Sequence, residues 1–233
     1  MKLSFEHIST SYRNRQILKD VSFSADNGSI TVLVSRNGAG KSTLVSCLIG
    51  EKRDYSGTIR LESTDVRTLS AGDRACKMAC LPQVLPRPHV TVRELVSFGR
   101  TPYIPITGVL SPADQEQVNR AISAVGLQDY ESAFVDELSG GERKKAFFAM
   151  TLAQDTPVVI LDEPTAHLDV VSRFEFLALL EKLRDETGKT FLAVMHELPE
   201  VLRCADRIVV LHDHQVAFNG TAEECLAAGI PQT

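Results

Sequence analysis

The sequence predicts an α/β domain with a parallel β-core, an N-terminal antiparallel β-subdomain and an inserted helical subdomain. Three observations carry this reading. Apolar runs at Ile30–Val34, Val158–Leu161, Phe191–Val194 and Ile208–Leu211 have the length of buried strands, and helical patterns alternate with them. The segment Ser35-Arg36-Asn37-Gly38-Ala39-Gly40-Lys41-Ser42-Thr43 joins the first run directly to a helix. Between about residues 86 and 154, helical spacing replaces strand spacing.

Leu3, Phe5 and Ile8 mark a first strand, and Val21, Phe23 and Ala25 alternate with polar residues in another. Asn27-Gly28 is a turn before the run at Ile30–Val34. From Lys41, the residues Leu44, Val45, Leu48 and Ile49 give a helix that stops at Gly50. Thr58–Leu61 is a further short strand, so the early sheet reads as partly antiparallel. Thr91 and Glu94 form a capping box ahead of Leu95, Val96 and Phe98. A Pro/Gly-rich loop covers Thr101–Leu110. Ser111-Pro112 opens a second helix that Gly126 ends, and a third starts at Ser139. After the strand at Val158, a long amphipathic helix is expected to turn Val171, Phe174, Leu177, Leu180 and Leu183 to one side. Parallel strands joined by helices imply right-handed crossovers. The domain limits are 1–85 with 155–233 for the core and β-subdomain, and 86–154 for the helical subdomain.

With 233 residues, the chain is long enough for one sizeable α/β domain. Its 43% hydrophobic and 24% charged residues exclude a disordered or fibrous class. A net charge of −5 argues against a broad nucleic-acid-binding face. Five irregularly spaced cysteines argue for buried thiols over a disulfide framework. No secretory leader and no membrane-spanning run is evident, so work at a membrane would need another component to hold the chain there.

The chemistry concentrates at three places. In the 35–43 segment, glycines let backbone N–H groups wrap an oligophosphate, and the following helix turns its positive end to the same charge. Lys41 would reach the β- and γ-phosphates and Ser42 would ligate Mg²⁺. Such loops usually open with Gly six residues before the Lys, where this chain has Ser35. At a strand end Ser is tolerated; the sharper alternative is a strained loop that binds nucleotide more weakly. At Asp162-Glu163 an apolar strand ends in two acids, suited to holding Mg²⁺ through water (Asp162) and to orienting or deprotonating an attacking water (Glu163). Ser139-Gly140-Gly141 precedes a helix and reads equally as a capped loop or as a second anion site.

Together these residues resemble the ATP-binding-cassette (ABC) ATPases nearly end to end. Ser35–Thr43 is similar to the family's Walker A motif, Leu138–Glu142 to its signature, Val158–Glu163 to Walker B and Thr165–Asp169 to the D-loop. Gln83 stands at the Q-loop position, His196 at the switch histidine, and Tyr12 at the aromatic that stacks on adenine. The resemblance implies a P-loop NTPase (RecA-like) core. Asn37, Gly38, Ala39, Gly40, Lys41, Ser42 and Thr43 would cradle ATP. Ser42, Gln83 and Asp162 would serve Mg²⁺, while Glu163, His196, Gln83 and Lys41 act in hydrolysis. It also implies a head-to-tail homodimer in which Ser139, Gly140 and Gly141 of one subunit meet the γ-phosphate held by the other. Glu142 stands where Gln is commoner. His212-Asp213-His214 sits at a hairpin turn and is a poor metal site, and Cys76 and Cys80 read as packing residues.

The run Ala146–Pro157, with Met150 where many importers have Arg, and the segment Val92–Arg100 resemble ATPases of iron–siderophore importers. Those are similar in turn to heme and cobalamin import ATPases. The partners implied are permease subunits docking near Gln83 and Pro86–Pro88, and indirectly a substrate-binding protein, with the chain peripheral at the cytoplasmic face of the inner membrane. Nucleic acid is not an expected partner. The alternatives are an ATPase of a heme, cobalamin or other ABC transporter, or a weakly hydrolysing regulatory ABC protein.

Overall fold

The computed structural model describes residues 1–35, 38–104 and 108–228. An antiparallel sheet opens the chain. Strand β1 (Leu3–Tyr12) lies between β2 (Arg15–Ala25) and β4 (Ser56–Leu61), and the short β5 (Thr64–Asp65) extends the edge beyond β4. Alternation explains the pairing. Leu3 lies opposite Ala25 and Phe5 opposite Phe23, so the apolar members face one way, with the two phenyl rings stacked at 4.3 Å.

The second sheet has the order β10-β9-β3-β8-β7-β6. Strand β3 (Ile30–Ser35) pairs in parallel with β8 (Thr190–Met195) and β9 (Arg207–His212). Strand β7 (Val158–Asp162) pairs in parallel with β8 and with β6 (Met78–Leu81), and β10 (Gln215–Gly220) closes the other edge antiparallel to β9. The register aligns the strand ends. Val34 lies opposite Met195, and Asp162 opposite Val194. The loops leaving β3, β7 and β8 therefore emerge side by side at the carboxyl edge, the usual place for a site in such sheets.

Both faces of this sheet are covered, which is why its strands read as continuous apolar runs. Leu33, Ile160, Leu192 and Val209 pack with the antiparallel sheet and with helix α1 (Lys41–Ile49). Val32, Phe191 and Ile208 pack on the other side with helices α5 (Gly140–Ala153) and α6 (Val170–Thr187). Short helices α2 (Ala71–Ala75), α7 (Leu198–Cys204) and α8 (Ala222–Ala227) fill the connections.

The helical block consists of α3 (Val92–Phe98), α4 (Pro112–Ala124) and α5. Its starts are capped as expected. Thr91 with Glu94, Ser111 with Asp114 and Ser139 with Glu142 all form reciprocal boxes. Buried Arg100 fastens the block, donating from Nε to Asp114 at 2.9 Å and from Nη1 to the Ala153 carbonyl at 2.7 Å. The stretch read as a loop begins with a 3₁₀ turn over Thr101–Tyr103, and its residues 105–107 lie outside the described residues.

One expectation is corrected. The buried side of α6 is Phe176, Leu177, Leu180 and Leu183, whereas Val171 and Phe174 are 67% and 40% exposed. Each step of three residues falls about 60° short of a full turn at 3.6 residues per turn. Three such steps carry Val171 to the side opposite Leu180. Phe176 takes the inward place and packs its ring 4.8 Å from Phe148.

Candidate functional site

The loop after β3 leads into α1, which starts at Lys41. Its N-terminal turn has no side-chain cap and no acidic residue, unlike the boxed helices elsewhere, so no capping side chain or carboxylate of that turn would compete with an anion there. Gly40, at φ 105°, lets the chain turn into the helix. A Cβ there would sit 2.7 Å from the Ile17 carbonyl oxygen, so this position needs glycine both for its backbone and for its neighbour. Ser35 is the last residue of β3, paired with Leu211, and is buried. Its extended backbone requires no glycine.

A cleft of about 480 Å³ opens over this turn. Gly38, Gly40, Lys41, Ser42 and Thr43 form its floor, with Gln83 and Glu163 also lining it. Arg15 and Ile17 of β2 line it too, and the sequence reading missed both. Only the packing of the antiparallel sheet on the loop brings them there. Tyr12 is half exposed and is not among the lining residues. The Lys52 ammonium lies 4.3 Å from the centre of its ring. Ala39 is half-buried and packs against the core below the loop. Asn37 lies outside the described residues.

Behind the cleft, side chains from four segments meet. Lys41 Nζ donates to the Ser35 carbonyl at 2.8 Å and to its hydroxyl at 2.9 Å, and stands 3.5 Å from His196 Nδ1. His196 Nε2 contacts Glu163 Oε1, and Gln83 Nε2 donates to Glu163 Oε2 at 2.7 Å. A neutral His196 protonated on Nε2 satisfies both contacts of its ring. Glu163 has φ 51°, a strained value for a residue with a side chain and one that clusters at functional sites.

Burial and the adjacent Glu163 hold the Asp162 carboxyl above the usual carboxylate range, and burial lowers Lys41 against the pull of both acids. Asp162 Oδ1 is buried and has no hydrogen-bond partner among the described residues. An orphaned carboxylate oxygen close to this turn would suit a divalent cation such as Mg²⁺, and the Ser42 hydroxyl in the cleft could serve as a further oxygen ligand.

The Ser139-Gly140-Gly141 turn does not line the phosphate cleft. Gly140 lines a neighbouring cleft with Leu85, Lys144 and Leu168, and Gln83 borders both clefts. Ser139 and Glu142 satisfy one another, with Glu142 N donating to Ser139 Oγ at 3.3 Å and Ser139 N to Glu142 Oε2 at 2.9 Å. Gly140 is left open, with no atom within 4 Å of a Cβ placed on it, whereas a Cβ on Gly141 would meet Leu168 at 3.8 Å.

Two further residues escaped sequence reasoning. Buried Lys144 donates to the carbonyls of Glu163 at 3.0 Å and Ala166 at 2.9 Å, and burial pushes it down to about 8. Buried Glu200 accepts from Thr165 Oγ1 at 2.6 Å and from Arg173 at 3.2 Å, tying the segment after Glu163 to the helix after His196. A lone charge on a helical pattern has no signal in the sequence that separates it from a solvated one.

A family profile described as ABC transporter matches residues 18–166, well over half the chain. The iron(3+)-hydroxamate import ATP-binding protein FhuC of Bacillus subtilis (strain 168) is 36% identical over 229 residues, 98% of this chain and 85% of that protein. The ferric enterobactin transport ATP-binding protein FepC of Escherichia coli (strain K12) is 32% identical over 228 residues, 97% and 84% of the two chains. Among solved structures, a nucleotide-free ATP-binding cassette from an ABC transporter superposes with a TM-score of 0.87 over 98% of this chain and 94% of that one. At 23% identity this is a likeness of fold.

Proposed function

This chain belongs to the ABC transporter family as an ATP-binding subunit that hydrolyses ATP, and we propose that it powers import of ferric siderophore complexes through a membrane permease. The observation that carries the hydrolytic reading is the convergence of Lys41, Gln83, Glu163 and His196 at the carboxyl edge of the parallel sheet. The cargo reading rests on relatives named for ferric hydroxamate and ferric enterobactin transport, each matched over nearly the whole chain.

The residues divide the work. Backbone N–H groups from Gly38 to Thr43 and the Lys41 ammonium would hold the phosphates, with Asn37 completing the turn. Tyr12 would stack on adenine, and Arg15 flanks it. Mg²⁺ held by Ser42, Asp162 and Gln83 would neutralise phosphate charge. Glu163 would accept the proton of the water that attacks the γ-phosphorus, as the bond to the ADP oxygen breaks, while His196 holds that water and the γ-phosphate in line. Ser139, Gly140 and Gly141 would complete the site from a second copy arranged head to tail. Their place outside the phosphate cleft of their own chain supports this pairing.

Residues 86–154 would act as the moving helical subdomain. The permease would dock beside exposed Gln83 and Val84, holding the chain at the cytoplasmic face of the membrane while a binding protein delivers cargo outside. No helix among the described residues is long and apolar enough to cross a bilayer.

The test is steady-state hydrolysis by the purified chain over a range of protein concentrations, beside Lys41→Ala. A rate per subunit that climbs with concentration and disappears in the variant is expected. A rate independent of concentration would sink the paired site. Uptake of labelled ferric hydroxamate by cells lacking the chain, with and without its gene restored, tests the cargo.

A further inference from the structure

A charged lysine is buried against the ring of Tyr12. Lys52 is 7% exposed, and its ammonium stands 4.3 Å from the ring centre. It also donates to the Asp54 carboxylate at 2.7 Å and to the Ser11 carbonyl at 3.2 Å. These two oxygens and an aromatic face offset the cost of burying the charge. A cation over a ring is held most firmly when it is withdrawn from water, as here.

Lys52 is fastened to both sides of the candidate nucleotide site. Its backbone N–H donates to the Ser46 carbonyl of α1 at 3.0 Å, and α1 begins at the phosphate turn. Its side chain holds the carbonyl of Ser11, the residue before Tyr12 in β1. Tyr12 lies opposite Arg15 across the hairpin, and Arg15 lines the cleft. Opposite residues of an antiparallel pair project from the same face, so the ring stands at the rim of that cleft. Tyr12 is 52% exposed, which suits a ring covered on one face and bare on the other.

We propose that Lys52 is a positioning residue for the base: it seats the Tyr12 ring from one face, tied to the helix that carries the phosphate turn, and leaves the other face ready for adenine. Without this seat, the ring would have to be ordered as nucleotide binds, and that ordering would be subtracted from the affinity. Lys52 acts through Tyr12 alone and does not itself touch the nucleotide. The inference rests on the reading of Tyr12 as the adenine platform and adds to it the residue that holds the platform in place.

The experiment is a double-substitution cycle read by equilibrium binding, with Mg²⁺, of the β,γ-imido analogue of ATP. The proteins are the full chain, Lys52→Met, Tyr12→Ala and the chain carrying both changes. Methionine keeps most of the stem and removes the charge, and Lys52→Gln takes its place if that variant does not fold. Lys52→Met should weaken the analogue about fivefold, the cost of immobilising one side chain on binding. Tyr12→Ala should weaken it by more, and in its presence Lys52→Met should add no further loss, because the lysine has nothing left to seat. An unchanged affinity in Lys52→Met overturns the role of Lys52 while leaving that of Tyr12 intact. So do losses that multiply in the double variant, which a merely structural role or a direct pull on phosphate charge would give. An unchanged affinity in Tyr12→Ala removes the platform reading, and this inference with it. A wild-type chain that does not bind the analogue at millimolar concentration removes the nucleotide site altogether.

Discussion

Gln83 and Glu163, 80 positions apart in the chain, are joined by a 2.7 Å hydrogen bond from Nε2 to Oε2. His196 contacts the other carboxylate oxygen. The acid is thus gripped from both sides, by the segment leaving β6 and by the segment leaving β8. Substituting Glu163→Gln would remove the proposed proton acceptor and keep the size of the side chain. Hydrolysis should fall by about 10²–10⁴ while ATP still binds. With turnover stopped, light scattering in saturating ATP and Mg²⁺ should report a dimer. A monomer under those conditions would refute the head-to-tail mechanism.

Asp162 predicts a dependence on acid. Its carboxyl is held above the usual range by burial and by Glu163, and the Mg²⁺ proposed to sit there would require the ionised form. Protons and metal would therefore compete. The Mg²⁺-dependent part of nucleotide affinity should fall on acidification, beginning at a higher pH than an ordinary aspartate would give. Asp162→Asn should lose that part at every pH. Calorimetric titration of both proteins over the same pH series removes the nucleotide's own protonation from the difference.

Lys144 predicts a response in alkali. Burial brings it down to about 8 from its ordinary 10.5. Between those values the unfolded chain binds more protons at this residue than the folded chain does. Its contribution to stability therefore rises with pH through that window. Denaturant unfolding of the wild type and of Lys144→Met at several pH values should show the stability difference shifting toward the wild type as pH climbs. A difference flat with pH would mean that the ammonium is well solvated.

Arg100 predicts a large structural cost. It and Asp114 are each about 10% exposed at the side chain, and the guanidinium also holds the last carbonyl of α5. Removing one member of a buried pair strands the other charge. Arg100→Ala should cost roughly 3–5 kcal/mol in urea unfolding. Pairing it with Asp114→Asn should cost less than the sum of the two single changes.

What was legible in the sequence was local. Gly38–Thr43 and Asp162-Glu163 announce themselves because a phosphate loop and a strand ending in acids are each contained within a few consecutive residues. The buried runs of β3, β7 and β9 were visible because β-branched residues crowd them, and that of β8 because Phe191 to Val194 is an unbroken apolar run. Strand β6 was not, since Met78-Ala79-Cys80-Leu81 contains no β-branched or aromatic residue and is held as a strand by pairing with β7. The face of α6 was misread because spacing by threes drifts around a helix, and only packing against Phe148 shows where the drift ends. Arg15, Ile17, Lys144 and Glu200 reach the site through the stacking of one layer on another, which no window of sequence contains.

The bonds from Lys144 to the carbonyls of Glu163 and Ala166 bear on timing. The lysine lies one turn into the helix that begins at Gly140. In the proposed pair, the first turn of α5 would touch the nucleotide of the opposite subunit, while its second turn steadies the acid that cuts its own. A single rigid rod would then sense one fuel molecule and gate another. The two reactions would be mutually dependent, so that neither subunit fires on news from its own pocket alone.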